Sequence, residues 1–349
     1  MHLPSRRRPG ALPLAFAALA ALAIGACSAS AAPPSPDASP AAPTHAAADA
    51  PAPAVTASPA PAAFPLTVTD DEGTAVTVLA RPERIVSLTP ATTEILFAVG
   101  AGPRVVATTD FDDYPPEAVP LPDVATYQGV DVEKIVGLEA DLVVAGGNGF
   151  NDPEALARLR SLSIPVLVVY APDVASVLAD VVLVATAAGE REAGVALAAA
   201  MQAEIEAIAA AVAAAGAGRP RVFYELDATM EIYGPADGSL LAEMIGLAGG
   251  EAITTGSPTV FAIPLETLLA ADPEVIVLGD AAYGVTAEQV VARPGWAAMT
   301  AVREGAIRPV DDVVVTRPGP RLAEGLRALA LAIDPAAPLP PAPSAGRAP

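Results

Sequence analysis

Glu133 opens the phrase EKIVGLEADLVVAG and Glu266 opens ETLLAADPEVIVLG, so a carboxylate recurs 133 positions apart in one setting of short apolar helix, acidic turn and apolar strand. In the first turn of a helix either carboxylate offsets the macrodipole by about 0.3 to 1 kcal/mol. The other chemistry-bearing residue types are scarce. The only histidines are His2 and His45 and the only cysteine is Cys27, all near the amino terminus. The remainder of the chain therefore holds no Cys or His zinc site and no nucleophile paired with an imidazole. No G-x-x-x-x-G-K-[ST] or G-x-G-x-x-G cradle for phosphate is present. Catalysis by carboxylates alone remains as an enzyme reading, but nothing points to it, and the chain reads as a binder rather than an enzyme.

Aromatic side chains make up 4% of the sequence and gather in a few segments rich in Gly, Pro and Asp: TTDFDDYPP, ATYQG, GGNGF, ELDATMEIYG, GSPTVF and VVVTRPGPR. These place Phe111, Tyr114, Tyr127, Gln128, Asn148, Tyr224, Tyr233, Phe261 and Arg317 where loops would converge on a ligand. For Phe111 and Tyr114 a proline-fixed turn that packs an aromatic is an equal reading. Tyr127 and Gln128 beside a glycine make a poor core segment and a good exposed wall. Arg317 and Arg321 stand at a helix start, where cations oppose the dipole, which favours a binding role for Arg317.

The elements that must position these loops follow from the apolar pattern. LTVTDDEGTAVTVL alternates about an Asp-Glu-Gly turn and predicts a hairpin. Short continuous apolar runs at 85–88, 105–108, 142–145 and 166–169 alternate with helical patterns, the first introduced by Thr89 as N-cap and Pro90 at the first helical position. Such strands are buried on both faces and form parallel sheets. Residues 173–188 read as one helix and 190–215 as a longer one, stopped by Gly216, Gly218 and Pro220. At 1.5 Å per residue the longer helix spans about 39 Å, enough for a strut between lobes. After it the first order returns: RVFYEL answers RIVSL, LAEMIGLAGG answers TEILFAVGAG, and the glutamate phrase recurs. The fold class expected is α/β, two Rossmann-like lobes with parallel sheets joined by a long rigid backbone helix.

Composition bounds the rest. The 349 residues carry 19 basic and 40 acidic side chains, a net charge of -21, which disfavours nucleic acid as a partner. Arg6 to Arg8, an apolar stretch from 11 to 26 and small residues before Cys27 compose a signal peptide with a lipobox over 1–27, making Cys27 the site of lipid attachment. Residues 28–63 form an Ala/Pro-rich tether, 64–172 the first lobe, 173–218 the inter-lobe helices, 219–335 the second lobe and 336–349 a tail of tether-like composition.

The stretches RIVSLTPATTEILFAVG, DYPPEA, VATYQGVDVEKIVGLEADLVVA and RVFYELDATMEIYGP resemble the helical-backbone substrate-binding proteins of bacterial ABC importers, in particular the cobalamin binders and their ferric siderophore and heme relatives. The resemblance covers about residues 64 to 335. It implies ligand held between two lobes, with Phe111, Tyr127, Phe261 and Arg317 at ligand-contacting places, and Glu133 and Glu266 docking on arginines of the two permease subunits. Tyr127 and Gly146 stand where the cobalamin binder has tryptophans, and Leu226 and Ile232 where it has phenylalanines, so corrin-stacking surface is reduced. The implied protein has no resident cofactor or metal of its own, cobalt or iron coming with the chelate. It works as a monomer with a permease dimer and its ATPase subunits, outside the cytoplasm and attached to the membrane by lipid alone. A ligand-sensing lipoprotein without a transporter is the alternative of a different class.

Overall fold

A computed structural model describes residues 63–216 and 218–342. The leader with Cys27 and the tether up to residue 62 lie outside the described residues, as does the tail from residue 343.

The alternating stretch at the start forms the expected hairpin, β1 (Leu66–Thr69) and β2 (Ala75–Val78), with Leu66 opposite Val78. The first lobe continues with β3 (Ile85–Ser87), α1 (Pro90–Ala98), β4 (Val105–Thr109), β5 (Asp123–Thr126), β6 (Gly129–Val130), α2 (Val132–Gly137), β7 (Leu142–Gly146), α3 (Pro153–Ser161) and β8 (Val166–Val169). Two helices follow, α4 (Val174–Ala187) and α5 (Arg191–Ala215). The second lobe comprises β9 (Arg221–Glu225), α6 (Leu240–Leu247), β10 (Glu251–Ala252), α7 (Leu265–Ala271), β11 (Val275–Leu278), α8 (Ala287–Val291), α9 (Thr300–Arg303), β12 (Ile307–Pro309), α10 (Asp312–Thr316) and α11 (Leu322–Ile333).

The two lobes share one design. The first sheet runs β6-β5-β4-β3-β7-β8 and the second β10-β9-β11-β12, so the order β4-β3-β7-β8 is repeated as β10-β9-β11-β12. Register is repeated too: Ile85 pairs with Leu142 and Val222 with Val275, both in parallel. Even the clamp at the strand start recurs. Arg84 donates from Nε to the Leu138 carbonyl at the end of α2, and Arg221 donates from Nε to the Ala271 carbonyl at the end of α7. Their backbone N–H groups bond the carboxylates of Asp141 and Glu274. Each arginine thus satisfies carbonyls that a helix end leaves without partners. β5 and β6 extend the first sheet with an antiparallel step that the apolar pattern does not announce.

Burial on both faces explains the continuous apolar runs: every residue of β7, β8 and β11 is buried. The strut differs from a lone helix. Gly189, at φ +81°, turns α5 back onto α4, and Gly194 lets the two approach so closely that a Cβ there would lie 2.3 Å from Ala185. Gly194, Ala198, Met201, Ile205 and Ile208 form its buried stripe, at intervals of four and three. The last three each contribute about 1.5 to 3 kcal/mol on burial. α5 is apolar and long enough to cross a membrane by composition, yet that stripe joins α4, α1, α6 and α11 in a single apolar cluster continuous from Val76 to Ile333. The lobes therefore share a core on one face of their sheets and keep separate cores on the other.

Candidate ligand-binding cleft

A cleft of 640 Å³ lies where the two lobes meet. The first lobe supplies the opening turn of α1, Phe111 and Asp113 after β4, Gly146 to Phe150 after β7, Tyr170 after β8, and Asp180 of α4; the second supplies Tyr283 after β11 and the segment Asp312 to Pro318. These are loops beyond the carboxyl ends of strands, where open α/β sheets hold ligands.

Local sequence fixes each wall. Thr89 caps α1 by accepting from the Thr92 N–H at 3.2 Å, and Ser87, Thr92 and Thr93 exchange hydroxyl bonds of 2.7 and 2.8 Å beneath it. Buried Asn151 holds the loop after β7, accepting from the Gly146 N–H at 2.7 Å and donating to the Leu88 carbonyl. Asn148 is left-handed at the tip, φ +54°. A Cβ on Gly146 would lie 2.8 Å from Thr89 Cγ2, so that position has no room for a large side chain; the aromatic of this loop is Phe150, 63% exposed and lining the cleft. After β4, Asp112 accepts from the Thr109 N–H and hydroxyl at 2.8 and 2.6 Å and sets the turn carrying Phe111; burial pushes the Asp112 carboxyl up.

Arg317 lines the cleft but is already engaged. Its Nη1 donates to Glu94 Oε1 at 2.7 Å and to Asp113 Oδ1 at 2.8 Å. Arg321 closes on the same Glu94 through Nε (2.9 Å) and Nη2 (2.6 Å), and that hydrogen bonding holds its guanidinium above the usual range. Glu94, 3% exposed on α1, thus ties the first lobe to two arginines of the second. Buried carboxylates keep their charge only with such donors.

The remaining expected site residues are dispersed. Tyr114 stacks on the Arg321 guanidinium, 4.3 Å from the ring centre, in a neighbouring hollow with Phe97, Pro115 and Pro116. This is the proline-turn packing that stood beside ligand contact as a reading. Tyr127 and Gln128 form the exposed tip between β5 and β6 and do not line the cleft. Tyr233 and Phe261 are tied into a small bridge, with Gly234 N–H donating to the Phe261 carbonyl, and also lie outside the lining. Tyr224 must be corrected: it is 0% exposed, its ring packs on Gly279, and its hydroxyl donates to Asp312 Oδ1 at 2.8 Å. Burial and the Asp312 charge push its phenol far up. It positions a cleft residue and cannot touch ligand itself. The cleft thus contains Phe111, Asn148 and Arg317 of the expected set, joined by Phe150, Tyr170, Tyr283, Asp113, Asp180 and Asp312.

Glu133 and Glu266 are both exposed, each in the first turn of a helix, α2 and α7, that precedes the equivalent strands β7 and β11. Among the described residues neither has a salt-bridge partner within 4.0 Å.

Two lobes with parallel sheets, a shared helical core and a cleft at facing strand ends define a two-lobed solute-binding protein. The family model described as periplasmic binding protein matches residues 85–313, and the chain belongs to that family of non-enzymatic solute binders. It is 30% identical over 275 residues, 78% of this chain and 86% of the relative, to the uncharacterized ABC transporter substrate-binding lipoprotein YvrC of Bacillus subtilis. To the vitamin B12-binding protein of Pectobacterium carotovorum it is 28% identical over 244 residues, covering 70% of this chain and 85% of the other. Among solved structures it is similar to the periplasmic heme-binding protein RhuT of Roseiflexus sp. RS-1 in apo form, with a TM-score of 0.65, 29% identity and coverage of 73% and 99%.

Proposed function

We propose that this chain is the extracytoplasmic substrate-binding lipoprotein of an ABC importer, capturing cobalamin or a metal chelate of similar bulk and delivering it to a permease. The observation that carries the reading is the cleft itself: four partly or largely exposed aromatics, Phe111, Phe150, Tyr170 and Tyr283, ring a space of 640 Å³ on an aromatic-poor chain. Flat, bulky ligands are held by such surfaces through stacking and apolar contact. Relatives named for vitamin B12 and heme support this ligand class, and the relative named as a lipoprotein supports attachment through Cys27. Any metal arrives inside the chelate. A ferric siderophore or heme is the second ligand reading, supported by Tyr170 and Tyr283 in the cleft lining, phenols being ligands for ferric iron.

Delivery rests on Glu133 and Glu266. Their matched places on equivalent helices offer one carboxylate per lobe to a permease dimer whose own two-fold symmetry would present one cationic site to each. Reconstituting the chain with its permease and ATPase in proteoliposomes tests this. We expect Glu133→Ala with Glu266→Ala to abolish uptake of bound chelate while leaving chelate affinity in solution unchanged, and either single change to do less. Normal uptake by the double variant would overturn the docking role.

A further inference from the structure

Four charged side chains line the cleft: Asp113, Asp180, Asp312 and Arg317. The one cation is committed, its Nη1 donating to both Glu94 and Asp113 with only 14% of the side chain exposed. Among the described residues no other guanidinium or ammonium reaches the lining. Asp312 receives the Tyr224 hydroxyl and the Thr316 hydroxyl, leaving acceptor capacity towards the cleft. Asp180 is 5% exposed, lies in the wall, and receives no hydrogen bond from an N–H or hydroxyl donor among the described residues; its neighbour is another carboxyl, Asp71. Asp71 is itself fixed, accepting from the Tyr170 N–H at 2.6 Å.

We propose that the cleft selects its chelate by charge, taking a neutral or cationic one fringed with amide or amine N–H groups and excluding one fringed with carboxylates. This rests on the cleft being the chelate site proposed above and names the class of chelate it holds. A ligand carboxylate would be brought against Asp113 and Asp312 with no free cation to meet it. Like charges placed together in a desolvated site are a strong means of rejection. An amide or amine N–H finds the reverse: acceptor oxygens on Asp180 and Asp312, and the Asn148 amide at the rim.

Two features bear on the opposite case. The capped N-terminus of α1 stands in the floor and offers about half a positive charge, which suits a neutral carbonyl oxygen and falls short of balancing the acids. Burial, with the Asp71 carboxylate beside it, pushes the Asp180 carboxyl up to about 8. A protonated Asp180 lessens the negative charge of the wall but adds no positive charge to it. The chain's net charge of -21 repels anions further at long range.

The test compares three probes on the full chain held in detergent, at about 0.15 M salt so that long-range charge is screened and local charge is read. The probes are cobinamide, which is cationic and amide-fringed; ferric protoporphyrin IX, with two propionates; and its dimethyl ester, the same ring with those charges removed. We expect cobinamide to bind and the ester to bind about tenfold or more tighter than the free acid. Asp113→Asn with Asp180→Asn should shrink the ester's advantage about threefold or more, since it removes the Asp113 charge, leaves Arg317 held by Glu94 alone and takes away the ionisable group at 180. If the double variant does not fold, Asp113→Asn alone, at a side chain 57% exposed, should move the ratio in the same direction. Free acid binding as tightly as the ester, or a ratio that the substitutions leave unmoved, overturns the charge selection and leaves the importer reading standing. Binding of none of the three overturns the charge selection together with the cobalamin and heme readings of the cleft.

Discussion

The two lobes have the same strand order and the same register, yet their strand ends are put to different uses. In the first lobe only Leu88 and Thr89 separate β3 from α1, so the helix start with Thr89 and Thr92 lies in the cleft floor, braced from beneath by the Ser87 and Thr93 hydroxyls. In the second lobe residues 226–239 intervene between β9 and α6. The position equivalent to Ser87 is Tyr224, which fills that space with a buried ring and braces Asp312. Next to it Glu225, 0% exposed, is clamped by Arg293 at 2.6 and 2.8 Å, and Arg293 stacks on Trp296. The first lobe therefore supplies most of the cleft, and the second supplies bracing. A duplicated fold need not duplicate its site: one insertion after one strand separates the two roles.

The helix glutamates show the same division and give the largest expected effect. Glu94 and Glu243 each stand six residues ahead of a left-handed glycine, Gly100 and Gly249. Glu94 is buried between two arginines, whereas Glu243 is exposed and only accepts from the Val174 N–H at 2.9 Å. Glu94→Ala strips Arg321 of its carboxylate partner, leaves Arg317 with Asp113 alone and should cost about 3 to 5 kcal/mol. Glu243→Ala should cost about 0.5 to 1.5 kcal/mol. Urea midpoints of the two variants check this; equal losses would break the comparison.

The cleft assignment comes next in size. Phe150→Ala should weaken chelate binding by about 1 to 3 kcal/mol, as truncation of an aromatic anchor does. Tyr127→Ala, on the hairpin tip, should leave it nearly unchanged. Calorimetric titration distinguishes them, and a larger loss at Tyr127 would move the site. Tyr224→Phe should lower stability by about 1 kcal/mol through the lost bond to Asp312, with a smaller fall in chelate affinity than Phe150→Ala.

The last effect is a slope. Asp180, raised from 3.8 to about 8, stays protonated in the fold where the unfolded chain has ionised. The native state then binds more protons between these values, so stability falls as pH rises across that window and levels off above it. Asp280, raised to about 7 by burial beside Glu225, adds a share of the same sign. Asp180→Asn should flatten the fall without abolishing it, as read from denaturation midpoints at about pH 5, 7 and 9.

Much of this frame was legible in the residues. β7, β8 and β11 are apolar throughout because helices cover both their faces, and the repeat of the glutamate phrase reflects a repeated strand order. Thr89 and Pro90 announce α1 by local chemistry alone. The site was less legible, for reasons of geometry. Whether a strand-end tyrosine faces core or cleft depends on pleat and register, which sent Tyr224 inward. Glu94 is an acid in an apolar helix, a visible oddity, but its partner Arg317 is 223 positions away. Tyr170 and Tyr283 carried a usable signal, each following a buried strand directly or within a few residues. The place of Tyr127 on an exposed tip outside the cleft lining is not legible because the short hairpin of β5 and β6, closed with Gly129 at φ +128°, has no apolar run to reveal it.

Native mass spectrometry of the chain purified from its own host, with metal analysis of whatever it retains, tests the central claim most directly. We expect one organic chelate bound per chain, carrying stoichiometric cobalt or iron and released on unfolding. A retained amino acid, peptide or sugar with no metal would contradict it.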